Sequence, residues 1–237
     1  MYKRILLKIS GESIADKNNN QTFNVAKLNE IASVIKTIVD MGIEVAIVIG
    51  AGNIWRGKYA STIGIDPADA DYMGMTGTVI NSVALSAAIK NTGIDSVCMS
   101  AIHIPPITLP FSEEEAKRLL DNKTVIVFGG GTGKPFFTTD TAATLRAIQI
   151  EADTILMAKY GVDGVFSADP HLDREAKFFP SLTFYEILEK GLQVMDLSAI
   201  ELIKDKDIKI HVFNMEDPKN ILKVVNGEKI GTIVSKR

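Results

Sequence analysis

Cysteine occurs once, at Cys98 in the apolar segment SVCMS, so an internal disulfide is excluded and a reducing compartment is compatible with the chain. The simplest role for this thiol is that of a small buried hydrophobe. An uninterrupted apolar run of about eighteen residues, the length that crosses a bilayer, is also missing. The opening MYKRILLKIS has too short an apolar stretch and no small-residue cleavage site for a signal peptide, so a cytoplasmic protein that does not meet a membrane is expected. No block of like charge occurs and the net charge is −3, which argues against a surface built to cover nucleic-acid phosphates. The three histidines, His103, His171 and His211, are scattered without paired spacing, which gives no support to metal binding through imidazole. No Ser, His and Asp combination stands out, and GESI at Gly11 is not a nucleophile elbow.

What is present is a globular composition, 46% apolar and 23% charged over 237 residues, enough for one α/β domain or two tightly joined lobes. Apolar runs at 5–9, 43–49, 94–99, 124–128, 154–158 and 208–213 read as strands alternating with helix-period segments. That alternation predicts a three-layer α/β/α sandwich with a mainly parallel central sheet. Val25, Leu28, Ile31, Ala32, Ile35, Ile38 and Val39 repeat at helical spacing, with Gly42 where a left-handed C-terminal residue belongs. Ser112 with Glu115, Thr183 with Glu186, and Ser198 with Glu201 read as capping boxes, and Asp217 before Pro218 as the start of the last helix. No linker or repeat divides the chain, so residues 1–237 form a single domain. Segments 25–41 and 73–90 have apolar positions enough for a subunit interface, and a buried intrachain face explains them equally well.

The most informative stretch is GGGTGKPFFTTDTAA, Gly129 to Ala143, which joins a strand to a helix. Successive glycines let backbone N–H groups converge, and the helix start adds oriented donors, so an anion such as phosphate suits the loop. Asp140 is either an N-cap or a group that handles a metal or a lysine. Two further loops, KISGES (Lys8–Ser13) and GAGNIWRG (Gly50–Gly57), also follow strands and should converge on the same rim. Lys8, inside an apolar strand, is costly unless an anion meets it, or else it snorkels from an edge strand. Arg56 is either a fork on phosphate or a solvated loop arginine. The familiar phosphate motifs fail: Phe128 and Pro135 break a Walker A loop, and Trp55 stands where a dinucleotide fingerprint needs glycine. Glycine loops and cations without a nucleophile suit phosphoryl transfer between two phosphate-bearing ligands.

The segments YKRILLKISGE, GAGNIWRG, DYMGM, GTGKPFFTTDTAA, VDGVFSADP, QVMDLSA and IHVFNM resemble the bacterial uridylate kinases of the amino acid kinase family over residues 2–234. The resemblance implies ATP-dependent conversion of UMP to UDP with Mg²⁺, for pyrimidine nucleotide synthesis, in a cytoplasmic homohexamer inhibited by UTP. Carried over by motif, Lys8, Ile9, Ser10 and Gly11 would hold ATP phosphates, and Gly52 and Arg56 would complete that clamp. Lys8, Arg56 and Asp140 would carry catalysis, Asp140 by orienting Lys8 or organising the metal. UMP would meet Ala51, Asp71 at its ribose, and the run Thr132, Gly133, Lys134, Pro135, Phe136, Phe137, Thr138 and Thr139. Tyr160, Phe166 and Asp169 would lie along the adenosine, and Asp196 resembles another acidic position near the site. Roughly residues 1–150 would then bind the acceptor and 151–237 the ATP. Ala51 departs from the glycine usual in that family and narrows the approach to UMP by a methyl. Segment 15–24 lacks the glycine-bearing stretch linked with activation by GTP, which puts that response in doubt. Same-fold kinases of carboxylates, carbamate or isopentenyl phosphate are the rival enzymes, which the TTDTAA loop disfavours; a nucleotide sensor without catalysis is the other rival.

Overall fold

The computed structural model describes residues 2–16 and 19–236, the Lys58 side chain apart. Lys17 and Asn18, within the segment that bears on GTP, lie outside the described residues. The strands are β1 (Arg4–Ile9), β2 (Glu44–Ile49), β3 (Ser96–Ser100), β4 (Leu109–Pro110), β5 (Val125–Gly129), β6 (Thr154–Lys159), β7 (Val165–Phe166), β8 (Phe178–Phe179), β9 (Ser181–Thr183), β10 (Lys209–Asn214) and β11 (Thr232–Ser235). The helices are α1 (Val25–Asp40), α2 (Pro67–Lys90), α3 (Glu113–Asp121), α4 (Thr139–Gln149), α5 (Phe184–Lys190), α6 (Leu197–Ile203) and α7 (Asn220–Val225). Nine strands make one sheet in the order β4-β3-β5-β2-β1-β6-β10-β11-β9, and β7 with β8 forms a separate hairpin. All pairings in the large sheet are parallel except β10 with β11. Each apolar run read from the sequence lies within or around a strand of this sheet.

Strand side chains alternate between faces, and the two cores follow that period. Ile5, Leu7 and Ile9 of β1 pack with Ile31 and Ile35 of α1, Leu85 and Ile89 of α2, and Ile221 and Val224 of α7. Leu6 points the other way, into a core with Leu120 of α3, Ala143 and Ala147 of α4, Phe184 of α5 and Ile200 of α6. Full burial of each aliphatic side chain contributes about 1.5–3 kcal/mol, so these layers hold the sheet between two helical sheets of cover. The three-layer sandwich is thereby the observed architecture.

Helix ends follow local chemistry. Asn24 caps α1 by accepting from Lys27 N–H, and Gly42 takes φ +84° just beyond its end. Thr183 and Glu186 form a complete capping box on α5, and Ser112 accepts from Glu115 N–H at α3. Two expected starts differ. Asp196, not Ser198, precedes α6, because Ser198 Oγ is engaged 2.8 Å from Thr141 Oγ1 of α4. The last helix begins at Asn220, after a turn in which Asp217 Oδ1 accepts from Lys219 N–H. By length and hydropathy α2 could cross a membrane, but 56% of its most apolar window is buried within the fold, where it packs on β3 and β5.

Candidate active site

Parallel strands send their carboxyl ends to one rim, so the loops after β1, β2, β5 and β6 meet there. Period-two alternation puts Lys8 on the Leu6 face of β1, the face covered by α4. Asp140 stands in the first turn of α4, and Lys8 Nζ lies 2.6 Å from its Oδ1, both side chains only 14% exposed. Thr138 supplies the N-cap, accepting from Asp140 and Thr141 N–H, which leaves the Asp140 carboxylate for the lysine. The contact is one of opposed charges: Oδ1 accepts no aligned hydrogen bond. Thr138 Oγ1 also donates to Asp196 Oδ2 and so joins the starts of α4 and α6.

Backbone packing around the first two loops is tight. A Cβ on Gly11 would fall 2.3 Å from Asn53 Oδ1 and 2.5 Å from the Gly50 carbonyl, so only glycine lets the loops after β1 and β2 touch. Asn81 of α2, fully buried, donates to the Gly50 carbonyl at 2.7 Å and to Asn53 Oδ1 at 2.8 Å. Thr78 and Ser82, on the same helix, bind Gly130 N–H and the Phe128 carbonyl. An amphipathic reading of α2 misses this row, because its polar side chains face inward and fasten strand ends. The signal available in the sequence was a set of polar residues at 78, 81 and 82 amid apolar ones. Gly130, at φ +73°, is the other demanding position, since a Cβ there would approach Ser100 Oγ within 2.6 Å.

Three cavities lie along the rim. One of about 420 Å³ brings together Ala51, Gly52, Asp71, Gly131, Phe136, Phe137, Thr138 and Thr139. Asp71 accepts from Phe136 N–H at 2.7 Å and so ties α2 to the glycine loop, and the Ala51 methyl lies against Gly77 of α2. A second, of about 550 Å³, holds Phe166 and Asp169 together with Lys159, Val194 and Val212. The third shares Lys159 with the second and includes Asp140, the chain neighbour of Thr139 in the first, and Asp196. Lys8, Ile9, Ser10, Thr132, Gly133, Lys134, Pro135 and Tyr160 stand outside these linings: Tyr160 is an exposed loop aromatic, and Thr132 Oγ1 turns back onto the Lys134 backbone. Arg56 is half exposed, donating to the Gly52 carbonyl and paired with Glu12, a partner the sequence did not suggest.

Lys159 is the site residue that sequence reading passed over, because a lysine ending an apolar run looks like an ordinary strand terminus. It donates to the Val194 carbonyl at 2.9 Å. Burial pushes its ammonium below the usual lysine range, opposed by the Asp140 and Asp196 carboxylates, while Lys8 pushes the same way as burial. Two ammonium groups and two carboxylates therefore face one another at the junction of the cavities. Among the described residues no group of three or more His, Cys, Asp or Glu side chains could hold a metal without help.

A parallel sheet whose rim gathers amide loops, partly buried cations and adjoining cavities suits an α/β enzyme of phosphate-bearing ligands. Residues 3–214 match the model of the amino acid kinase family, and the chain belongs to that family. Its fold is similar to that of UMP kinase from Bacillus anthracis, with 42% identity, a TM-score of 0.95 and coverage of 99% of this chain and 96% of that one. UMP kinase from Ureaplasma parvum is 37% identical with a TM-score of 0.94, and both chains are covered in full. Uridylate kinase from Archaeoglobus fulgidus is 29% identical with a TM-score of 0.73, over 98% of this chain and 99% of that one.

Proposed function

We propose that this chain transfers the γ-phosphoryl group of ATP to UMP, giving UDP. One observation carries the chemistry: Asp140, ion-paired with Lys8, lines a cavity together with Lys159, and its chain neighbour Thr139 lines the glycine-loop cavity. The 420 Å³ cavity, with Asp71 and Thr138, suits the acceptor, and the 550 Å³ cavity, with Phe166 and Asp169, suits the donor nucleoside. The part before about residue 150 then serves the acceptor and the part after it the donor, within one sheet. Similarity to enzymes described as UMP kinases, over nearly the whole chain, supports uridylate as the acceptor.

A phosphate monoester with a second pKa of about 6 is mostly dianionic at neutral pH, so the acceptor needs no general base. The demand on the protein is to hold two polyanions together and to offset charge on the transferred group. Lys8, kept in place by Asp140, meets that charge, Lys159 reaches the donor side, and Arg56 exchanges Glu12 for phosphate. Mg²⁺, which arrives on nucleotide phosphates and takes one or two protein carboxylates, would be held by Asp140 and Asp196; bound there, it neutralises phosphate charge. Both carboxylates line the same cavity, and carboxylate oxygen is the ligand type such an ion takes. A cytoplasmic homohexamer inhibited by UTP is the accompanying reading, supported by the resemblance of motifs alone. A coupled ADP assay comparing UMP, CMP, carbamate and amino-acid carboxylates tests the proposal: turnover with UMP is expected, and turnover with an acid but none with UMP overturns it.

A further inference from the structure

Among the described residues two arginines are buried, and their surroundings differ. Arg4, 5% exposed, is enclosed by the Glu44 and Asp121 carboxylates. Arg146 of α4, 4% exposed, has no carboxylate partner among the described residues. Its guanidinium carbon lies 3.6 Å over the Phe111 ring, Nη1 donates to Gln149 Oε1 at 2.6 Å, and Nη2 reaches the Gly131 carbonyl at 3.4 Å. Burial lowers its pKa to about 10, with no acid to restore it. A buried charge without a counter-charge is costly, and the stack on Phe111 with the carboxyl end of α4 offsets only part of that cost.

The cation lies under the glycine loop. In a trans peptide the C=O and the following N–H point in opposite directions, so a Gly131 carbonyl turned toward Arg146 turns Thr132 N–H away from it. Among the described residues neither Gly131 N–H nor Thr132 N–H donates to another backbone carbonyl, whereas the Gly133 N–H closes onto the Gly130 carbonyl. Gly131 itself lines the proposed acceptor cavity.

We infer that Arg146 is a positioning residue for the acceptor phosphate: it holds the Gly131 carbonyl from beneath, aims the loop amides outward, and lends uncompensated positive charge to a dianion bound above. This rests on the acceptor assignment made above. The arginine touches no ligand and acts through the loop.

Calorimetry on the full chain, with UMP, uridine and ATP titrated separately, tests the inference in wild type, Arg146→Met and Arg146→Lys. The methionine variant should bind UMP about ten-fold or more weaker, as expected for loss of a charged hydrogen-bonding group, with ATP and uridine within about two-fold of wild type. Lysine, which keeps the charge without the fork, should recover part of the loss. Unchanged UMP affinity in the methionine variant, or an equal loss for all three ligands, overturns the inference. If that variant does not fold, Phe111→Leu and Arg146→Lys carry the test by the same split between UMP and ATP. Wild type that binds no UMP would instead overturn the acceptor assignment, and that result is read before any variant is compared.

Discussion

At the scale of single residues, the site depends on side chains placed where the strand period leaves them no choice. Lys8 must face α4 because Leu6 does, and Asp140 must meet it because Thr138 has already taken the capping role. Replacing Lys8 by Ala removes the cation proposed to meet the transferred group, and kcat should fall about 10²–10³-fold in the coupled assay, with the KM for UMP changed far less. His211 gives a prediction about pH. Its ring is buried in β10, with Nε2 2.6 Å from the Ile230 carbonyl, and desolvation lowers its pKa while that hydrogen bond works against the shift. The unfolded chain then binds the proton more readily than the native one, so stability holds above the unfolded histidine pKa of about 6.5 and declines as pH falls below it. Urea midpoints of wild type and His211→Asn should converge as the solution is acidified from pH about 7 toward 5, and parallel profiles would reject the assignment.

At the scale of elements, α2 is the member whose job is hardest to guess from its pattern. Its inward row of Thr78, Asn81 and Ser82 binds the ends of β2 and β5, so the helix fixes both loops of the proposed acceptor cavity at once. Asn81→Ala would leave the Gly50 carbonyl and Asn53 short of a buried partner, at a cost of about 1–3 kcal/mol in urea unfolding, and should raise the KM for UMP as well. A loss of stability with KM unchanged would show that the helix only supports the fold. The central strands and α1 were legible because uninterrupted apolar runs and a three-and-four repeat each suit only one structure of that length. β9 and β11 were not legible, being three and four residues long with mixed polarity, below what periodicity can resolve. Ser198 satisfied the capping pattern in sequence yet bonds across to Thr141, a tertiary partner that no local rule contains. Lys159 and the Glu12 partner of Arg56 were hidden for a similar reason, since each acquires its meaning from a loop distant along the chain.

At the scale of the molecule, the rim reads as a consequence of sheet order. β1 pairs with β2 on one flank and β6 on the other, so the strand that opens the chain lies between the proposed acceptor and donor parts. Separating those parts, by cutting the backbone in the turn before β6, would strip one flank of β1 and leave an apolar ladder with open amides and carbonyls. Neither fragment should therefore stay dispersed when produced singly, whereas co-production should return a stable nicked complex that elutes as one species in gel filtration. Independent solubility of the leading fragment would contradict this. Strand β1 thus waits for β6, far along the polypeptide, before its pairing is complete, and any kinetic trap in refolding should be found at that seam.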